Sequence, residues 1–164
     1  MSKLAFLYSR VSTDEQNIMQ QQKLLVDYAK REGYVYRSFS DHGISGTLNP
    51  KEREGWSKLI AHANVAHPDI ILVQSPDRIT RSLEHSLELW KHLQKTGIKV
   101  VTLYEGVFDP QDGDHYFVFM LKCLLSEREV MLNRRRSRIG IARAKAEGKY
   151  KGGKKGRKWK NGEK

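Results

Sequence analysis

Arginine and serine recur at positions where a folded chain could act on an anion. Tyr8-Ser9-Arg10-Val11-Ser12-Thr13 follows the apolar run Leu4-Ala5-Phe6-Leu7 and precedes a polar helical stretch. A first strand is therefore expected to hand over to a first helix there, at the carboxyl end of a strand, where open α/β sheets bind their ligands. If strand geometry continues, Arg10 and Ser12 point to the same side, about 7 Å apart along the backbone. A hydroxyl nucleophile and a fixed cation would then share one pocket. A second reading is equally local: Ser12-Thr13-Asp14-Glu15 fits a capping box, in which the serine accepts from the backbone and the glutamate reaches back.

Later loops add Arg53, Asp77, Arg78 and Arg81. Arginine presents a rigid planar fork that matches phosphate and stays charged at any working pH. A phosphodiester under attack gains charge on its equatorial oxygens, and fixed donors aimed there lower the barrier without a metal. Serine needs activation, and no histidine lies near Ser12 in the sequence, so clustered guanidiniums and a hydrogen-bonding acceptor remain. Asp77 could position Arg81, handle a proton, or simply cap a helix. There is no Gly-x-x-x-x-Gly-Lys-Ser loop and no His-Glu-x-x-His, so no metal or cofactor is expected.

These residues need elements to hold them. Strands are predicted at about 3–9, 34–39, 69–73 and 98–103, alternating with helices at about 14–31, 56–63 and 83–95. Ile70-Ile71-Leu72-Val73 reads as a strand buried on both faces, the mark of a parallel sheet. Asp41 to about Glu54 reads as a loop with two glycines. Leu83, Leu87, Trp90 and Leu93 mark one helix face, with His85 and His92 solvated. The expected fold is α/β, a mostly parallel central sheet of four to five strands flanked by helices, over residues 1–111. Right-handed crossovers bring the loops after strands one, two and three to one edge.

From about Asp112 the pattern changes. Apart from Gly140 no strong helix breaker appears between Asp114 and Glu147, so a single long helix is predicted within 112–148. Its first half, Tyr116 to Leu125, is apolar nearly all round, and a second subunit is its natural cover. Cys123 sits there as a small buried hydrophobe. Its second half carries Arg134, Arg135, Arg138, Arg143 and Lys145 and is expected to stand clear of the core. Residues 149–164 read as a flexible basic arm, with Lys151, Lys154, Lys155, Arg157 and Lys158.

The 164 residues suit one well-buried domain. Net charge is +11, and from Arg134 onward fourteen Lys and Arg face only Glu147 and Glu163. That end alone carries +12, leaving the first 133 residues near neutral. A neutral body with a basic end points to nucleic acid. One cysteine excludes an internal disulfide framework. Hydrophobic residues make up 38% and mean hydropathy is −0.65; no apolar run approaches the roughly 20 residues of a membrane helix, and no signal-peptide pattern opens the chain. A cytoplasmic protein without membrane partners is expected.

Taken in order, Tyr8 to Thr13 with Gln16 and Gln21, Asp41 to Gly46, Arg53-Glu54-Gly55, Asp77 to Arg81, and Glu127-Arg128 resemble the motifs of the serine site-specific recombinases, the resolvase and DNA invertase family. The resemblance covers about residues 3–148. It implies a catalytic domain that cuts and rejoins double-stranded DNA through a 5′-phosphoserine link at Ser12, without metal or ATP. It implies that Arg10, Arg78 and Arg81 cradle the scissile phosphate, that Arg53 and Arg128 support it, and that Gln16, Gln21 and Asp77 orient the site. It implies a homodimer that becomes a tetramer during strand exchange, joined through the long helix. The family's helix-turn-helix domain has no counterpart in residues 159–164, so a separate site-recognition factor is a further expected partner. The alternative is a non-catalytic DNA-binding or assembly partner, with a metal-dependent nuclease more distant.

Overall fold

The computed structural model describes residues 3–11 and 15–150, with backbone only at 11 and 15–18. Five strands, β1 (Leu4–Val11), β2 (Val35–His42), β3 (Ile70–Val73), β4 (Lys99–Thr102) and β5 (Gly106–Phe108), form one sheet in the order β2-β1-β3-β4-β5. The first four are parallel and β5 runs antiparallel to β4. Helices α1 (Glu15–Arg31), α2 (Glu54–Ala66) and α3 (Leu83–Thr96) make the connections, and α4 (Gly113–Ala146) follows the sheet.

Strand side chains alternate between faces, and the sequence supplies an apolar set for each. Phe6, Tyr8, Ile71, Val73 and Val100 pack with Trp56 and Leu59 of α2, Trp90 and Leu93 of α3, and Phe119 and Cys123 of α4. Ala5, Leu7, Ile70, Leu72 and Val101 pack on the other face with Leu25 and Ala29 of α1. The chain steps from β1 outward to β2, then returns past β1 to β3. This reversal of strand order opens a crevice beyond the carboxyl ends of β1 and β3, so Arg10 and the segment from Ser75 to Arg81 meet there.

Several boundaries differ from the sequence reading. β2 continues through Asp41 and His42, because β1 runs on to Val11 and pairs Arg10 with Asp41 and Val11 with His42. α2 begins at Glu54 rather than Trp56, since the Asp41 carboxylate accepts from the backbone N–H groups of Gly55 (2.8 Å) and Trp56 (3.0 Å). A Cβ on Gly55 would lie 2.2 Å from the Ser40 carbonyl oxygen, so only glycine lets the helix start so close to β2. α3 buries Ser86, Leu89, Trp90 and Leu93 and leaves Leu87 exposed. His85 and His92 are half-buried rather than solvated, and burial, then Lys95, lowers the His92 pKa. β5 follows a tight turn ending at Gly106, whose φ of 84° is in the left-handed region.

The described residues group into two units, Met1–Arg128 and Glu129–Lys164, with the boundary inside α4. Among the described residues no helix is long and apolar enough to cross a membrane.

Candidate active site

Arg10 leaves the end of β1 at 3% exposure. Its Nε donates to the Arg78 carbonyl (3.0 Å), Nη1 to the Ile44 carbonyl (3.0 Å) and Nη2 to the Asp77 carbonyl (3.1 Å). One guanidinium thus clamps the loop after β2 to the loop after β3. Burial, then the charges of Arg53, Arg81 and Arg78, lower its pKa to about 10, which still leaves it protonated at neutral pH. Arg10, Arg53 and Arg81 all reach Gly46, and the Arg78 charge is near enough to act on Arg10.

Arg53, fully buried, precedes α2. Its Nη2 donates to the carbonyls of Gly46 (3.1 Å) and Leu48, and its Nη1 to that of Ile79. Tyr8 packs alongside and donates its hydroxyl to Asp41 (2.8 Å); burial, then Asp41, pushes the phenol pKa above its ordinary range. A buried polar chain therefore runs from the α2 N-terminus through Asp41 to Tyr8, with the charge of Arg53 acting on the phenol. Groups so buried hold position because each has a partner to lose.

Arg78 and Arg81 are partly exposed. Arg81 pairs through Nη2 with Asp77 at 3.0 Å, and the Ser75 hydroxyl donates to the other Asp77 oxygen. Burial would raise the Asp77 pKa, but the Ser75 hydrogen bond, Arg78 and Arg81 outweigh it and hold the carboxyl below its ordinary value. An ionised, paired carboxylate is a poor proton carrier at neutral pH and a good anchor, so of the roles open to Asp77 the geometry favours positioning Arg81. Nε of Arg78 is buried without a hydrogen-bond partner among the described residues.

The structure thus brings Arg10, Arg53, Asp77, Arg78 and Arg81 together. Ser12 lies outside the described residues, as do Lys151, Lys154, Lys155, Arg157 and Lys158. The backbone of Gln16 lies in α1, while Gln21 is buried with its Oε1 unpartnered among the described residues. Arg128 is exposed on α4 and is not among the charges that act on Arg10. Arg134, Arg135, Arg138, Arg143 and Lys145 are all exposed on α4. At 100° per residue Arg134, Arg138 and Lys145 share a helix face, whereas Arg143 falls on the opposite one and pairs with Glu147 at 2.8 Å.

Residue-by-residue reading passed over Asp41, Tyr8 and Gln22, which donates to Ser9 Oγ at 3.4 Å. Tyr8 and Gln22 show only a strand and a helix pattern, and Asp41 reads as the start of a loop; the register of β1 with β2 is what reveals Asp41. A groove of about 490 Å³ lies elsewhere, between α2 and α3, lined by Trp56, Ile60 and Leu89 among others; of the arginines, Arg10 and Arg53 are buried and Arg78 and Arg81 are partly exposed.

A family model described as "Resolvase, N terminal domain" matches residues 5–150. A curated resolvase of Clostridium perfringens is 30% identical over 147 residues, covering 88% of this chain and 74% of the relative. The transposon Tn552 resolvase of Staphylococcus aureus is 33% identical over 146 residues, covering 88% and 69%. Among solved structures, the N-terminal catalytic domain of TP901-1 integrase aligns with a TM-score of 0.62 at 28% identity, over 80% of this chain and 99% of that one. A resolvase family site-specific recombinase from Streptococcus pneumoniae, 20% identical, shares the fold with a TM-score of 0.57 over 87% and 99%.

Proposed function

The chain belongs to the resolvase family, as a serine recombinase catalytic domain, and from that premise we propose that it cleaves and rejoins double-stranded DNA with Ser12 as nucleophile. The observation that carries the reading is the convergence of four guanidiniums at the crevice beyond β1 and β3, the first of these being the strand that Ser12 follows in the sequence.

In the proposed reaction the Ser12 oxygen attacks phosphorus. A serine–phosphate bond forms with the 5′ side of the break and the bond to the 3′ oxygen breaks; the Ser12 hydroxyl gives its proton to solvent and the leaving oxygen takes one up as a 3′ hydroxyl, so no net proton is consumed. Rejoining runs the same exchange backward from a new 3′ hydroxyl, so the bond energy is kept and neither ATP nor metal is consumed. Arg78 and Arg81, the more accessible pair, meet the phosphate and stabilise the charge that grows on it. Arg10 and Arg53 hold the loops that carry them and add their field, and Asp77 fixes Arg81. Gln16, Gln21 and Arg128 are assigned supporting roles by their match to the family motifs.

Phe117, Leu121, Leu124 and Leu125 of α4 are each at least 42% exposed, and a second copy of the chain is the proposed cover, giving a dimer and, during exchange, a tetramer. The basic part of α4 and the arm beyond it are proposed to follow the DNA backbone. The test is incubation with supercoiled DNA containing the site, stopped by denaturant, with and without chelator. A covalent protein–DNA adduct is expected from the wild type in either case and none from Ser12→Ala. Equal behaviour of the two proteins would leave a non-catalytic DNA-binding role, and cleavage abolished by chelator would point to a metal-dependent nuclease.

A further inference from the structure

We propose that Gly46 is a positioning residue for the arginine site, acting through the side chain it lacks; the idea rests on that site being the reaction centre proposed above. The backbone at Gly46 is outside the left-handed region, so conformation does not demand glycine there. Space does. A Cβ at this position would lie 2.7 Å from Arg10 Nη2, 3.1 Å from Arg10 Cζ and 3.1 Å from Arg81 Cδ, against the 3.5–4.0 Å or so of a relaxed carbon contact.

The end of an arginine can usually swing aside at little cost. Arg10 cannot, because three carbonyls from two loops hold its guanidinium and it is 3% exposed. Nor can Gly46 retreat easily: its carbonyl accepts from Arg53 Nη2 and from the Arg81 backbone N–H, both at 3.1 Å. One residue therefore touches three of the four arginines, holding two by its carbonyl and leaving room for two by its bare Cα. A single methyl must displace Arg10 or Arg81, and Arg81 carries its Asp77 pairing with it.

The experiment combines two readouts on the full chain. The first is the rate of Ser12–DNA adduct formation in Gly46→Ala, measured where both proteins are folded by circular dichroism. The second is a double-mutant cycle on the urea midpoint, with Gly46→Ala made in the wild type and in Arg10→Met, which removes Nη2; Arg10→Lys serves if the methionine variant does not fold. Overpacking of this kind should slow adduct formation by roughly five- to 150-fold, and the fall in urea midpoint should largely vanish when Arg10 is gone. An adduct rate equal to wild type overturns the proposal, as does a midpoint shift that is equal in the wild type, in the Arg10 variant and in a third background, Arg81→Ala, which would place the strain elsewhere. If the wild type itself forms no Ser12-dependent adduct, the functional reading fails, and the unfolding cycle still decides whether Gly46 sets the place of Arg10.

Discussion

Replacing Arg53 by methionine tests whether the arginines are held by the loops or hold them. The side chain is fully buried and donates to three carbonyls, those of Gly46, Leu48 and Ile79. Hydrogen bonds to a charged group contribute about 1.5–3 kcal/mol each, so the three amount to about 4.5–9 kcal/mol before offsets. Methionine also relieves two costs, the desolvation of a buried cation, worth several kcal/mol, and the repulsion between Arg53 and Arg10. The remainder is about 3 kcal/mol, the lower end of what is lost when a buried ionic group is removed and its partners stay behind. For a chain of this size each kcal/mol moves the melting temperature by about 2–4 °C, giving a fall of about 6–12 °C. Thermal unfolding followed by far-ultraviolet circular dichroism measures it. A fall under about 2 °C would mean that the carbonyls find other partners and that Arg53 does not brace the loops, which refutes the reasoning.

Asp77→Asn should leave DNA affinity nearly unchanged and slow adduct formation, since it frees Arg81 without removing a cation. Because the native Asp77 pKa is depressed, the stability from its pairing is fully present above the ordinary carboxyl range and fades as pH falls through the native value; the part-exposed pair is worth about 1 kcal/mol. Acid titration of stability should therefore be shallower in the variant than in the wild type. Leu121→Gln with Leu124→Gln should turn a dimer into a monomer in sedimentation with little change in melting temperature, as both side chains are already exposed; an unchanged dimer would place the interface elsewhere. Arg138→Gln should lower the slope of log affinity against log salt by about 1, while Arg143→Gln, already paired with Glu147, should change it less.

Much of the site was readable because parallel α/β topology is a strong constraint. Once β1 and β3 were recognised from Leu4-Ala5-Phe6-Leu7 and Ile70-Ile71-Leu72-Val73, the loops that follow them had to meet, and with them Arg10, Asp77, Arg78 and Arg81. Side-chain occupation was not readable. Nothing local reveals that Arg53 is spent on backbone carbonyls, or that Asp41 caps a helix fourteen residues on, because both depend on two loops closing over the end of the sheet. The early extension of β2 has the same origin: Asp41 and His42 look like turn residues until β1 offers them a partner strand. The helix faces were blurred for another reason. α3 packs against Phe119 through Trp90 and faces α2 with Leu89, His85 and His92, so its buried stripe takes in Leu89 rather than Leu87 and its histidines are half covered.

The arrangement of charge gives the site its logic. Arg10, Arg53, Arg78 and Arg81 gather four positive charges within a unit whose net charge, with them included, is near zero, and among the described residues Asp77 is the carboxylate in direct ion pairing with them. Asp41, the other buried carboxylate nearby, is engaged by Tyr8 and the first turn of α2. Backbone carbonyls supply dipoles but no net charge, so they hold the guanidiniums in place without cancelling their mutual repulsion. A phosphodiester brings one negative charge and its pentacoordinate state brings a second, so the field that disfavours the empty site favours the reacting anion more than the resting one. Removing any one of these arginines should therefore stabilise or destabilise the fold according to the carbonyls it leaves behind, yet always weaken the transition state, and it is the divergence between those two effects that separates a reaction centre from a structural ion cluster.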